Sequence, residues 1–213
     1  MTLYGVGLGP GDPELVTVRG KRLLERAAAV FAPGELAETI AANYAPADRI
    51  ERLSFPMTRD EAALRTAWAE AAETVAPVAE DGPAAFVTLG DPKVYSTFTH
   101  LAGALAEYEG VTVETIPGVS VVTAFASAMG VDIDGGPVEI REARAGVPTG
   151  AEQLLLLKVT DVPGLHDELT DAGYTVTYGR RLFMNDPTVT TDPAALASGD
   201  YFTVAYATRG RSE

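Results

Sequence analysis

One stretch does most to limit how this chain can fold. Phe86-Val87-Thr88-Leu89-Gly90-Asp91-Pro92-Lys93-Val94-Tyr95-Ser96-Thr97-Phe98 reads as a buried strand that stops at a Gly-Asp-Pro turn and then starts a helix. Gly90 removes the side chain that would keep a ligand off the backbone, and Asp91 places a carboxylate there. Pro92 fixes its own φ and discourages Asp91 from continuing into a helix. In an open α/β sheet, the crevice outside the carboxyl end of a strand is where a small ligand is expected. Taken alone, the stretch fits a plain strand-to-helix turn equally well.

The same grammar recurs on either side of it. Residues 3–7 form a short apolar strand that runs into Gly5-Val6-Gly7-Leu8-Gly9-Pro10-Gly11-Asp12-Pro13, an open loop free of Cβ crowding. This loop is no dinucleotide fingerprint, because the sixth place is Pro10 when counted from Gly5 and Asp12 when counted from Gly7. The Walker pattern fails too, since no Gly-Lys-Ser/Thr follows. Further on, the strand Val111 to Ile116 closes at Pro117-Gly118 and leads into a small-residue helix, Val119 to Gly130. If the three strands are parallel and adjacent, loops 5–13, 89–97 and 117–123 share one edge of a sheet.

Between these landmarks the periodicity predicts helices. The first starts near Thr17, takes in Leu23, Leu24 and the Ala27-Ala28-Ala29 run, and stops before Pro33; a shorter one covers Glu35 to Asn43. Thr58 and Glu61 read as a capping box for a helix whose stripe is Leu64, Trp68, Ala71, Val75 and Val78, with Pro77 expected to kink or end it. Trp68 on that stripe is a core residue, and Tyr95, Phe98, Leu101, Leu105 and Tyr108 give another helical face. Strands alternating with helices call for a parallel sheet. Residues 131–150, rich in glycine and proline, are expected to be loop near a domain seam. Beyond them come a strand (Gln153 to Val159), a helix after Pro163, a strand from Tyr174 to Phe183, a short helix from Asp192-Pro193, and a last strand from Tyr201 to Ala207. The expectation is an α/β chain in two lobes, 1–115 and 116–213.

Composition narrows the chemistry. The chain has no cysteine among its 213 residues, which removes disulfides, thiolate nucleophiles and cysteine-based zinc sites. His100 and His166 lie on helical stretches and read as structural, so no protein-bound metal is expected. A net charge of −14, from 30 acids and 16 bases, offers no footprint for nucleic acid and resembles the composition of proteins from salt-loving organisms. No apolar run approaches a membrane span, and after Met1 and Thr2 the chain enters the strand-like Leu3-Tyr4-Gly5-Val6 with no charged leader, so no membrane partner and a cytoplasmic location are expected.

Together the three loops resemble the tetrapyrrole methylases, two-lobed methyltransferases that use S-adenosylmethionine. The marks are a Gly-x-Gly-x-Gly-Pro-Gly-Asp-Pro start at Gly5 to Pro13, the Gly90-Asp91-Pro92 centre and the Pro117-Gly118-Val119-Ser120 turn. Two strings, Phe55-Pro56-Met57-Thr58-Arg59-Asp60 and Gly90 through Phe98, look like the enzymes that methylate C-20 of precorrin-2 or its cobalt-bearing counterpart in cobalamin synthesis. The resemblance implies a parallel-sheet N-terminal lobe, a mixed-sheet C-terminal lobe and a cofactor cleft between them. It implies S-adenosylmethionine as co-substrate, a small-molecule tetrapyrrole as acceptor, and a homodimer. Carried over residue by residue, it sets the cofactor against Pro10, Leu89, Gly90, Asp91, Val94, Tyr95, Ser120, Val121, Lys158 and Ala207.

The implied reaction is an in-line displacement, in which a nucleophilic meso carbon attacks a sulfonium methyl and the protein mainly aligns the reactants. No catalytic base is assigned. Asp91 and Tyr95 lie nearest that role and read better as ligand-positioning groups. The acceptor is a polycarboxylate and the protein is acidic, so bases must cluster locally. Arg19, Lys21, Arg22, Arg49, Arg52, Arg59, Arg180 and Arg181 are the candidates. Other readings are a family member with another acceptor, such as a different corrin position or a diphthine-type protein substrate, and a binding module without catalysis.

Overall fold

The computed structural model describes residues 2–56, 60–133, 135–148, 150–196 and 199–210. The chain divides into two compact units, Met1–Ser120 and Val121–Glu213. The first is a five-stranded, all-parallel sheet of β1 (Thr2–Gly7), β2 (Ala29–Ala32), β3 (Ile50–Arg52), β4 (Ala84–Thr88) and β5 (Thr112–Ile116), in the order β3-β2-β4-β1-β5. Its α-helices among the described residues are α1 (Val18–Leu24), α2 (Glu35–Ala41), α3 (Glu61–Asp81) and α4 (Phe98–Ala104). Period-two alternation sorts the strands' side chains between two cores. Leu3, Phe31 and Phe86 face α3 and α4 with Trp68, Val75 and Leu101, whereas Val6, Val30 and Val87 face α1 and α2 with Leu24 and Ile40.

The second unit is a mixed sheet of β6 (Val138–Glu142), β7 (Gln153–Leu157), β8 (Thr175–Arg180), β9 (Thr188–Thr190) and β10 (Thr203–Thr208), in the order β6-β7-β10-β8-β9. β6 and β7 run parallel, and the remaining pairs are antiparallel. One face packs on α6 (Val162–Asp171) through Leu154, Leu156, Val176, Tyr178 and Ala205; the other packs on α5 (Val121–Met129) through Leu155, Leu157, Val204 and Tyr206. The parallel first sheet is what the alternating pattern predicts, and the mixed second sheet is what the resemblance implies.

Several local expectations give way. The alanine run after α1 is not helical: Ala29–Ala32 is β2, paired with both β4 and β3, because a central strand position outweighs the helix propensity of alanine. Pro77 neither ends nor splits α3, which runs 21 residues through it with Val75, Ala76 and Ala79 buried on either side. The cap of α3 is Asp60, whose Oδ1 accepts the Ala62 and Ala63 N–H groups at 2.8 and 3.3 Å. Thr58, the expected cap, lies outside the described residues, as does Arg59. The glycine-rich stretch 131–150 contains a strand, β6, that short, mixed-charge sequence concealed. Tyr95 stands outside α4 with φ 49°, so only Phe98 onward forms that helical face.

Candidate functional site

β4, β1 and β5 are adjacent and parallel, so the loops that follow them share the carboxyl edge of the first sheet. Their backbones touch. A Cβ on Gly7 would stand 2.5 Å from both Gly118 N and Gly90 O, and one on Gly118 would meet Gly90 O and, at 2.7 Å, Gly7 Cα. Only glycine permits this approach. Gly90, at φ +67°, donates its N–H to Gly9 O at 2.7 Å, and Leu8 donates to Thr88 O at 2.9 Å.

Asp91 fastens the third loop. Its Oδ2 accepts the Gly118 N–H at 3.1 Å and its Oδ1 accepts the Lys93 N–H at 2.8 Å. The carboxylate therefore positions backbone on two loops. Residues that the sequence reading passed over hold the same edge. Thr17 Oγ1 donates to Pro117 O at 3.4 Å while accepting the Gly20 N–H that caps α1, and Tyr44 donates to Pro13 O at 2.6 Å. Burial, with Asp12 and Glu14 nearby, pushes the Tyr44 hydroxyl above its ordinary range. Thr88 Oγ1 lies 3.1 Å from Ser96 Oγ, which accepts the Phe98 N–H at 3.2 Å. The Ser96-Thr97-Phe98 run before α4 carried that signal as a serine turn.

Of the candidate residues, Leu89, Gly90, Asp91 and Ser120 gather at this edge, with Ser120 Cα 3.8 Å from where a Gly90 Cβ would lie. Pro10 is buried beneath it, whereas Val94 and Tyr95 are 38% and 49% exposed, large apolar surfaces beside open backbone. Residues 5–13 contain no lysine or arginine, so this glycine loop offers no cationic cradle for a phosphate.

Val121, Lys158 and Ala207 belong to the second unit. Lys158 follows β7 in the left-handed region, at φ 58°. Its Nζ donates to Glu142 Oε1 at 2.6 Å and lies 5.4 Å from the Tyr201 ring. Burial pulls the Lys158 ammonium down, but Glu142 and Tyr201 outweigh it and leave it raised. The Lys158 hydrogen bond and charge hold Glu142 below the ordinary carboxylate range, against its own burial. Ala207 is fully buried in β10 opposite Leu154. Lys158 lies by Thr203 at the other end of that strand, four residues or roughly 13 Å away. The two do not converge within this unit.

The candidate bases fare unequally. Arg52 pairs with Glu38, Lys21 lies 3.9 Å from Glu25, and Arg49 caps the carbonyl of Ala27 at 3.3 Å. Arg181 donates to Asp200 at 2.6 Å, whereas Arg180 makes a 3.4 Å bond to Thr188 Oγ1 and acts on Asp200 through its charge. His100 stacks on Trp68, and His166 Nδ1 lies 3.1 Å from the Tyr178 hydroxyl. Among the described residues, no cluster of His, Asp and Glu could hold a metal, and no helix is long and apolar enough to cross a membrane.

Residues 2–195 match the family model described as Tetrapyrrole (Corrin/Porphyrin) Methylases. The chain is similar to a probable cobalt-precorrin-2 C(20)-methyltransferase of Methanocaldococcus jannaschii, 36% identical over 62% of this chain and 58% of that protein. It is also similar to a cobalt-precorrin-4 C(11)-methyltransferase of Priestia megaterium, 31% identical over 80% of this chain and 59% of that protein. The chain spans little more than half the length of these curated relatives. Its fold is that of a solved uroporphyrin-III C-methyltransferase from Thermus thermophilus complexed with S-adenosylhomocysteine (TM-score 0.70, 19% identity, 98% of this chain and 97% of that one).

Proposed function

Because the chain belongs to the tetrapyrrole (corrin/porphyrin) methylases, we propose that it is an S-adenosylmethionine-dependent C-methyltransferase of cobalamin biosynthesis, acting on C-20 of precorrin-2 or cobalt-factor II. The observation that carries this reading is the fixed edge where Gly7, Gly90 and Gly118 meet backbone to backbone. The C-20 position rests on the Phe55-to-Asp60 string and on the likeness to the Methanocaldococcus jannaschii protein.

S-adenosylmethionine supplies a methyl group on a cationic sulfur, and the sulfur leaves neutral, so no nucleophilic side chain is needed. The protein's part is alignment, which can contribute several kcal/mol, on the order of 7–11 in well-oriented intramolecular systems. In this reading the cofactor is held by Pro10, Leu89, Gly90, Asp91, Val94, Tyr95, Ser120, Val121, Lys158 and Ala207. Asp91 acts by holding the Gly118 N–H and with it the 117–120 turn. Lys158 acts as an oriented cation whose charge Glu142 balances. A homodimer in the cytoplasm is the form proposed for the protein.

The experiment is incubation of the purified protein with methyl-labelled S-adenosylmethionine and precorrin-2 or its cobalt complex, followed by mass analysis of the product. One added methyl at C-20 is expected. Transfer to cobalt-precorrin-4 instead would move the reading to C-11, which the 31% identity over 80% of this chain favours as the second choice. Tight S-adenosylhomocysteine binding without transfer to any tetrapyrrole would leave a binding module.

A further inference from the structure

We propose that the cavity at the carboxyl end of β8 is a subsite for one carboxylate arm of the acceptor, anchored by the Arg180 guanidinium. This rests on the tetrapyrrole reading above, which makes the acceptor a polycarboxylate. The cavity has a volume of about 390 Å³ and is lined by Arg180, Arg181, Asp186, Gly199 and Asp200. That is enough for a side arm and too small for a whole macrocycle.

The four charges in its wall are not equivalent. Arg181 donates Nε–H to Asp200 Oδ2 at 2.6 Å, and Asp200 Oδ1 accepts the Phe202 N–H at 3.0 Å, so that pair satisfies itself. Asp186 is exposed to solvent, where its charge is screened. Arg180 is half-buried, and its hydrogen bond among the described residues runs to the neutral Thr188 hydroxyl at a long 3.4 Å. Arg180 stands near enough to Asp200 to help hold that carboxyl below its ordinary range, yet makes no direct ion pair among the described residues, because Arg181 and the Phe202 N–H already engage Asp200. Its planar fork matches a carboxylate bidentately.

The sheet supplies a second observation. Arg180 lies opposite Thr203 on β10 and opposite Thr188 on β9, so the three side chains share one face. Thr203 is 1% exposed, and its Oγ1 has no hydrogen-bond partner among the described residues. Buried hydroxyls are almost always satisfied. An unused hydroxyl in register with an arginine that has no direct ion pair among the described residues marks a polar row missing an acceptor.

The probe is uroporphyrin III, a stable tetrapyrrole polycarboxylate, with binding read by fluorescence quenching at fixed salt. Arg180→Gln is expected to weaken it about tenfold, Arg180→Lys less, with S-adenosylhomocysteine affinity and circular dichroism unchanged. Asp186→Asn, which removes the negative charge at the rim, is expected to tighten it. Arg65→Gln, a charge-matched change on the exposed face of α3, leaves it unchanged. Equal affinity in Arg180→Gln and wild type would overturn the subsite, as would equal losses in Arg180→Gln and Arg65→Gln. A wild type that does not bind the porphyrin overturns it as well. Binding that depends on Arg180 in a protein that methylates no tetrapyrrole would leave the subsite standing and bring down the proposed activity alone.

Discussion

Replacing Asp91 by alanine separates two roles that the sequence could not distinguish. As a ligand contact, Asp91 would lower cofactor affinity and leave the apo fold alone. The structure engages both carboxylate oxygens with backbone, at Lys93 and Gly118. The Lys93 bond is exposed, and water replaces it at little cost. The Gly118 N–H is part-buried, and losing a charged acceptor there costs about 1–2 kcal/mol after allowing for solvent access. For a chain of this size that lowers Tm by roughly 2–8 °C. Asp91→Asn, which keeps one acceptor oxygen, should recover part of the loss. The assay is thermal unfolding of the apo protein beside calorimetric titration with S-adenosylhomocysteine. A fall in affinity with Tm unchanged would refute the positioning role and return Asp91 to the ligand, whereas no change in either would remove it from the site.

Four further outcomes follow from the structure. Gly118→Ala forces a Cβ onto Gly90 O and Gly7 Cα, both backbone, and should cost about 1–3 kcal/mol in thermal unfolding. Gly103→Ala, in α4 with nothing near its Cβ, should be neutral or stabilising by about 0.5–1 kcal/mol. Glu142→Gln should destabilise by about 1 kcal/mol at neutral pH. Because the Glu142 carboxyl is lowered in the fold, its contribution is present above the ordinary glutamate range and fades as pH falls through the lowered folded value. The Tm difference between wild type and variant should therefore shrink in acid, and a constant difference would refute the coupling. Burial, reinforced by Asp167, pushes the Tyr178 hydroxyl up to about 12. The unfolded chain ionises first, near 10, so stability should fall between pH 10 and 12 by up to about 2–3 kcal/mol. Tyr178→Phe should remove that part of the slope in alkaline denaturation.

What the sequence revealed was punctuation. Strong stops such as Gly90-Asp91-Pro92 and Pro117-Gly118 act locally, so the three loops and their parent strands were readable in order. What it concealed was decided by distant neighbours. Ala29–Ala32 is a strand only because β3 and β4 flank it, and Pro77 stays helical only because buried side chains on both sides of it fix α3. The second unit's site was hidden more deeply. Lys158 carried a resemblance, but Glu142 lies 16 residues away, and no periodicity joins a lysine after one strand to an acid ending another. The adjacency of β6 and β7 brings them together.

Backbone strain shows where the second sheet is being held to a purpose. Among the described residues, five other than glycine have positive φ: Tyr95 in the first unit, and Lys158, Arg181, Phe183 and Asp186 in the second. The last four all follow the carboxyl ends of β7 and β8. Each such conformation costs on the order of 1 kcal/mol or more and persists only where surrounding bonds over-determine it. Lys158 is held by Glu142, and Arg181 by Asp200. The first sheet meets the same demand at Gly9 and Gly90, where glycine makes positive φ easy. Glycine bares backbone, whereas a strained lysine or arginine delivers a cation. The choice at each edge therefore fits the chemistry proposed for it: open amides for a phosphate-free cofactor in the first unit, and in the second, cations whose carboxylate partners fix where they stand.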